Sequence, residues 1–156
     1  MPAIPGLRSP YVKVDRLVYF GRMLDKIRLH AAGKLPPEYV CNIGDDKPGM
    51  FDTRCCRFLR VGYEEIRQKT IGGANDVEVL AWVEAKGGRR TDEEVLVFNS
   101  FLMKRGWHDA ADNVARLQQR IRESGLDGKP IETFFDFIDF DEGRDPVAGK
   151  LWESAY

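Results

Sequence analysis

The sequence predicts an all-α fold, a compact single domain of about seven short helices. Apolar residues recur at helical spacing in segments that end at glycines, and glycine is the usual residue just past a helix C-terminus. No stretch shows the sustained alternation of apolar and polar residues that predicts β-hairpins. A chain of 156 residues also fits one domain by its length.

Prolines and glycines divide the first part of the chain. Residues 1–14 carry three prolines and are expected to form an extended arm. The apolar pattern then predicts a helix over 15–32, which ends at Gly33. Pro36 and Pro37 prevent the continuation of this helix.

The longest irregular segment lies at 41–52 (CNIGDDKPGMFD). Its glycines would allow it to act as a lid, although loops of this length also occur without such a role. Asp52 or Thr53 is expected to cap a short helix that reaches Leu59. Another helix is expected over 63–70.

Capping boxes at Asn75 and Glu78 and at Thr91 and Glu94 predict the starts of two later helices, because each pairs a cap with an acidic residue three positions on. Thr133 and Asp136 are expected to begin the last helix. Asp109 is expected to cap a further helix, which ends at Gly125. The β-branched run 77–83 is the best candidate for a strand, but its cap and spacing favour a helix. These elements predict one helical domain over 15–145 and a C-terminal tail at 146–156.

Composition and charge exclude several classes of protein. Hydrophobic residues make up 43% and charged residues 31% of the chain, which predicts a packed core rather than disorder. A net charge of −1 argues against a dedicated nucleic-acid binder, because such domains are usually strongly basic. No apolar run is long enough for a transmembrane helix or a signal peptide. We therefore expect no nucleic-acid partner, no membrane association and a cytoplasmic location.

The chain is expected to need no metal and no cofactor. Cys41, Cys55 and Cys56 form neither an even-numbered disulfide framework nor the paired spacing of a zinc site. Small buried thiols are the expected role, and a reactive thiol lowered in pKa by Arg54 and Arg57 is the alternative. Recognised nucleotide-binding and hydrolase motifs are absent from the sequence.

The stretch 24–35 (LDKIRLHAAGKL) carries the candidate site. On a helical wheel one sector is apolar and is expected to face the core. This sector holds Phe20, Met23, Leu24, Ile27 and Ala31, with Leu17 at its edge. Asp25 lies at the centre of the opposite face, within reach of Arg22 and Arg28 at three residues on either side. Lys26 and His30 follow one border of the apolar sector. The predicted ligand-binding residues are Arg22, Asp25, Lys26, Arg28 and His30.

Two interpretations of this helix stay open at the level of sequence. Val18 and Leu29 lie among the charged residues, so the helix is expected to be covered on both sides. The charged face is then either the wall of a cleft or a purely structural ion-pair network. In the structural interpretation, two arginines hold Asp25 and a hydrogen bond satisfies His30.

The segment 132–145 is acidic and carries four phenylalanines. We expect it to pack near the basic first helix and to neutralise its charge. Part of it, DFDEGR, resembles a calcium loop. An EF-hand, however, needs glycine at position six and an acid at position twelve, where this chain has Arg144 and Lys150.

Trp107 and His108 lie at a predicted junction between helices. A role for His108 in acid–base catalysis would need a carboxylate to hold the ring. The adjacent Asp109 is better used as a helix cap. Trp107 is expected to fill the core at this corner.

Several stretches occur together in a recognisable order. They are LDKIRLHAAGKLPPEY, FLRVGYEEI, DVEVLAWV, FNSFLMKRGWHDAA and ETFFDFIDFDEGR. From about Leu7 to Arg144 the chain resembles a bacterial family of domains of unknown function, family 5069. The resemblance implies a soluble, compact and helical single domain in a bacterium. It implies no activity and no site residues.

Three functions are compatible with the sequence. The first is a non-catalytic module that binds a small anion or an acidic partner segment through charge-assisted hydrogen bonds. The second is an enzyme in which Asp25 or His30 acts as base, while Lys26 or Arg28 stabilises negative charge. The third is a structural or interaction protein, for which exposed apolar residues such as Val18, Leu29 or Tyr156 would mark the contact surface.

Overall fold

A computed structural model describes residues 3–155 of the chain. Within these residues the fold is all-α, as predicted, with eight α-helices and a short 3₁₀-helix at Leu151–Ala155. The helices are α1 (Phe20–Ala31), α2 (Pro37–Val40), α3 (Phe51–Leu59), α4 (Tyr63–Ile71), α5 (Asp76–Gly87), α6 (Asp92–Lys104), α7 (Ala111–Glu123) and α8 (Phe134–Asp141). The described part contains a single isolated β-bridge and no strand. No helix in it is both long and apolar enough to cross a membrane.

The first helix begins five residues later than the sequence pattern predicts. Val14 and Leu17 exchange two backbone hydrogen bonds of 3.0 Å and close a tight turn. The Asn99 side chain holds this turn from α6, where it accepts from the Val18 amide and donates to the carbonyl of Arg16. Tyr19 follows with a left-handed φ of 69°. The prediction of a helix from residue 15 is therefore wrong, because tertiary hydrogen bonds impose a turn on an apolar, helix-compatible segment.

The capping boxes are confirmed, whereas two single-residue caps are wrong. The two predicted boxes form both of their hydrogen bonds, at the starts of α5 and α6, and 77–83 is helical. Thr133 and Asp136 form a third box at the start of α8. In contrast, the residue at the cap position of α3 is Met50, not Asp52 or Thr53, and the residue at the cap position of α7 is Ala110, not Asp109. Asp52 turns into the interior instead. Asp109 accepts from the Gly106 amide at 2.8 Å and so stabilises the preceding turn.

Helix α1 is central to the core. Phe20, Met23, Leu24 and Ile27 are buried, as the helical wheel predicts, and α1 packs most extensively against α4. Ala31, at the end of the same sector, is exposed. A second, smaller apolar cluster joins α7 and α8. Its buried members are Leu117, Ile121, Ile131 and Phe140.

The N-terminal arm is part of the packed unit. Tyr11 is buried and donates its hydroxyl to Asp136 of α8 at 2.7 Å. Ser9 donates to Asp139 at 2.6 Å. These contacts place the segment before α1 directly against α8.

The apolar residues expected to mark a contact surface are not exposed together. Val18 is fully buried and Leu29 is half-buried. Tyr156 lies outside the described residues. Large exposed apolar side chains occur instead on α6, notably Val97 and Phe101.

Candidate functional site

A cleft of about 430 Å³ opens between α1, the segment 38–51, α7 and α8. We call it the α1–α8 cleft. Its volume is within the range of small-molecule sites. Five basic and three acidic side chains line it, together with aromatic residues. The charged residues of the lining are Arg22, Lys26, Arg105, Arg116, Arg120, Glu38, Asp141 and Glu142.

The floor of the cleft is formed by Tyr19 and Lys26, which are hydrogen-bonded to the fully buried Asp52 behind the lining. The Lys26 ammonium donates to Asp52 at 2.7 Å and to the Tyr19 hydroxyl at 2.8 Å. Tyr19 in turn donates to the same Asp52 oxygen at 2.5 Å. Burial lowers the pKa of Lys26 against the opposing charge of Asp52, and burial with the Asp52 charge raises the pKa of Tyr19 well above its ordinary value. An ammonium has three N–H donors, so Lys26 retains one donor beyond these two bonds.

The backbone before α1 places the Tyr19 side chain in the cleft. Tyr19 occupies a left-handed conformation, which bulky residues adopt rarely. Its ring lies against Phe51 and Phe135, with centroid separations of 5.3 and 6.1 Å. The aromatic packing therefore holds a residue whose backbone is locally unfavourable, and it directs the hydroxyl to Lys26 and Asp52.

One wall of the cleft is an ion-pair cluster between α1 and the end of α8. Arg22 donates both terminal nitrogens to Glu142, one at 3.0 Å. Arg144 donates to Glu142 at 2.5 Å and Tyr39 donates to it at 2.9 Å. The expected packing of the acidic segment against the basic helix is confirmed at this contact. Lys26 and Arg28, in contrast, have their carboxylate partners on α3 and α5.

The rim of the cleft carries three arginines without a carboxylate partner. Arg116 and Arg120 are exposed on one face of α7, four residues apart. Arg105 follows α6 and donates to the Asn113 side-chain oxygen at 3.3 Å. Within residues 3–155, no carboxylate lies within ion-pair distance of any of the three. Burial, together with the charges of Arg54 and Arg116, lowers the pKa of Arg105.

The five predicted site residues separate into three groups. Arg22 and Lys26 line the cleft. Asp25 and Arg28 lie outside the lining, in a network with Arg8 and Asp76. Arg8 donates to both Asp25 oxygens at 2.7 Å. His30 is exposed near the end of α1. The bidentate pairing of Asp25, away from the cleft, argues against its use as a catalytic base.

All residues that line the cleft lie within the part of the chain that matches a known protein family. The family described as Domain of unknown function (DUF5069) matches residues 4–144 of the 156. The chain belongs to this family. The resemblance found in the sequence is thereby confirmed. A comparison with curated proteins gave no match.

Sequence reasoning missed several residues of the site in this DUF5069 domain. Tyr19 and Asp52 were assigned to helical positions, one on the first helix and one as a cap. Arg105, Arg116 and Arg120 were not singled out. The four-residue spacing of Arg116 and Arg120 is a local signal that two positive charges share a helix face. Nothing in the sequence indicates that α7 faces α1.

The other candidate residues of the DUF5069 domain lie outside the cleft. Trp107 is exposed, so its expected core position is wrong. It contacts the ring of His108, with ring centroids 4.7 Å apart. Cys55 and Cys56 are buried as expected, and burial raises the pKa of Cys56 to about 12. Cys41 is exposed instead. Among residues 3–155, no group of three or more potential ligands could hold a metal ion.

Glu142 provides a pH-dependent contribution to stability. Burial opposes its charged form, but hydrogen bonds and the charge of Arg22, with Arg144 and Tyr39, outweigh burial and lower the pKa of Glu142. A lowered folded-state pKa gives stability that is complete above the unfolded value, about 4.3 for Glu. This stability is lost as pH falls through the folded-state pKa. We expect the stability difference between wild type and Glu142→Gln to be constant from pH 7 to 5 and to shrink below about pH 4.

Urea unfolding of both proteins at a series of pH values measures this difference directly. Asp139, whose pKa burial raises, is present in both proteins but shares Arg144 with Glu142, so the comparison is repeated with Asp139→Asn in both. If the difference in free energy of unfolding stays constant down to pH 3, ionised Glu142 does not stabilise the fold.

Proposed function

We propose that the α1–α8 cleft binds a small anion and that the chain acts as a non-catalytic binding module. The observation that carries the proposal is the set of three arginines around one cleft, none with a carboxylate partner among the described residues. Arginines elsewhere on α1 are paired: Arg22 with Glu142 and Arg28 with Asp76. The three rim arginines therefore place unpaired positive charge at the opening of this cleft.

The electrostatics support an anion at the rim. Burial and the charge of Arg54, with that of Arg116, outweigh the opposing charge of Asp109 and lower the pKa of Arg105, so positive charge is in excess around this group. A bound anion would offset this excess and accept several charge-assisted hydrogen bonds. Arginine is suited to this role, since its planar fork of donors matches carboxylate and phosphate oxygens.

The floor supports binding rather than chemistry. The Lys26 ammonium is occupied by Asp52 and Tyr19, and its remaining N–H can donate to a ligand atom. Asp25 and His30, the bases of the enzymatic alternative, lie outside the lining of the cleft. The proposal keeps Arg22 and Lys26 from the predicted set and adds the three rim arginines.

A reducing compartment, and with it a cytoplasmic location, is part of the proposal. Cys41, Cys55 and Cys56 are all free thiols. Such thiols persist where glutathione and thioredoxin keep proteins reduced.

The test is isothermal titration of the purified chain with inorganic phosphate, sulfate and citrate. We expect the double variant Arg116→Ala/Arg120→Ala to bind at least about tenfold more weakly, because it loses charge-assisted hydrogen bonds. Arg122→Ala is the matched control, since Arg122 is exposed on the same helix but does not line the cleft. The control should retain wild-type affinity.

Two results would contradict the proposal. One is the absence of binding for every anion tested at millimolar concentration. The other is an equal loss of affinity in Arg122→Ala and the double variant, which would indicate a diffuse effect of the net charge. Circular dichroism of each variant establishes that α7 remains folded.

A further inference from the structure

We propose that the ligand of the α1–α8 cleft is an aromatic acid, in which the anionic group is attached directly to a planar ring. This inference rests on the proposed function and adds the chemical class of the ligand. It comes from the aromatic side chains that line the cleft beside the arginines. Three of them are phenylalanines: Phe51, Phe134 and Phe137.

These phenylalanines are only partly buried, which distinguishes them from the core aromatics. Phe20 and Phe135 are completely enclosed, whereas Phe51, Phe134 and Phe137 each keep an exposed portion. Phe134 and Phe137 are three residues apart on α8, so they share one helix face. A ligand ring that covers these surfaces would remove apolar area from water. Ring pairs add favourable edge and stacking geometry.

A cation and a ring of the lining lie close together. The guanidinium carbon of Arg105 lies 5.9 Å from the centroid of the Phe51 ring. An anionic oxygen that accepts from the side of Arg105 nearer this ring therefore lies beside the aromatic surface. A ligand that uses both features has its charge and its ring close together. This favours an aryl carboxylate or aryl phosphate over an acid with a long flexible spacer.

The two halves of the lining exclude simpler ligands on energetic grounds. An inorganic anion would satisfy the arginines but leave the phenylalanine surfaces in water. A neutral aromatic compound would cover the rings but leave the arginine charges without a partner. A molecule with both parts satisfies both sets of side chains.

The experiment is a titration with ligands matched in charge. Benzoate is compared with acetate and with cyclohexanecarboxylate, and phenyl phosphate is compared with inorganic phosphate. We expect benzoate to bind about tenfold or more tightly than acetate, and phenyl phosphate about tenfold or more tightly than inorganic phosphate. The reason is that the aromatic ring is buried and contacts the rings of the cleft. The stronger of the two aryl anions identifies the anionic group.

Variants of the wall connect this preference to the cleft. Phe137→Leu keeps an apolar side chain but removes the ring, and it should reduce benzoate affinity severalfold more than acetate affinity. Phe101→Leu is the matched control, because Phe101 is exposed on α6 and outside the cleft. The control should behave as wild type.

The outcomes separate the two proposals. Equal binding of aryl anions and their ringless partners would overturn the aromatic ligand and leave anion binding intact. Equal binding of benzoate and cyclohexanecarboxylate would show that the cleft selects apolar bulk, which also overturns the aromatic assignment. The absence of binding by every anion would overturn the proposed function itself.

Discussion

The Lys26→Met variant is expected to lose about 3–5 kcal/mol of unfolding free energy, the usual cost of removing one partner from a buried ion pair. Asp52 is completely buried and Lys26 is 4% exposed. Their contact of 2.7 Å therefore lies in a region of low dielectric, where the charge of Asp52 has no alternative solvation. Tyr19 would remain as its single hydrogen-bond donor among the described residues. Urea unfolding at neutral pH, followed by circular dichroism, measures the loss.

The double variant Lys26→Met/Asp52→Asn provides the control for this prediction. It removes both charges of this pair, and the asparagine oxygen still accepts the Tyr19 hydroxyl. We expect it to recover at least half of the stability lost in the single variant, because a buried ion pair is often replaceable when both charges are removed. A single variant that loses less than about 1 kcal/mol would show that the pair behaves as if it were exposed to solvent.

The Phe135→Ala variant is expected to lose about 3–5 kcal/mol, in the range of large-to-small core substitutions of aromatic residues. Phe135 is fully buried. Its ring lies 5.1 Å from Tyr11, 6.1 Å from Tyr19 and 5.2 Å from Phe51, measured between centroids. The substitution leaves a cavity between the rings of Tyr11, Tyr19 and Phe51. These rings are packed in place and cannot shift to fill it. Because Tyr19 and Phe51 line the cleft, anion affinity should fall in the same variant.

Phe101→Ala is the matched control for this core substitution. Phe101 is 48% exposed on α6, so its truncation should change the free energy of unfolding by no more than about 0.5 kcal/mol. Equal losses in Phe101→Ala and Phe135→Ala would contradict the central position assigned to Phe135. Urea unfolding and phosphate titration of both proteins complete the comparison.

Local signals predict most of the helices of this fold. The capping boxes at Asn75, Thr91 and Thr133 depend on residues three positions apart, so the sequence contains all the information that they need. The start of α1 differs, because Asn99 of α6 holds the preceding turn from outside. A helical wheel describes the faces of one helix and cannot represent a contact from another helix. The predicted helix over 15–32 was therefore too long at its beginning.

The site was predictable only in part, for the same reason. Arg22 and Lys26 follow from the two-sided pattern of α1. The partner of Arg22, however, is Glu142, which is 120 residues away in sequence. Arg8, the main partner of Asp25, lies in a segment expected to be an extended arm. Which charges remain unpaired, and hence which face carries the proposed anion site, depends on these distant pairings and is not contained in the periodicity of any one helix.

The contacts between the N-terminal arm and α8 have a consequence for synthesis on the ribosome. Ser9 and Asp139, which donate and accept one buried hydrogen bond, are 130 residues apart. At translation rates of 5–20 residues per second, the arm waits roughly 6 to 26 seconds for its partner. During this interval the surface of α1 that faces α8 is uncovered, and Arg22 lacks its carboxylate partner Glu142. The cleft therefore forms late in synthesis.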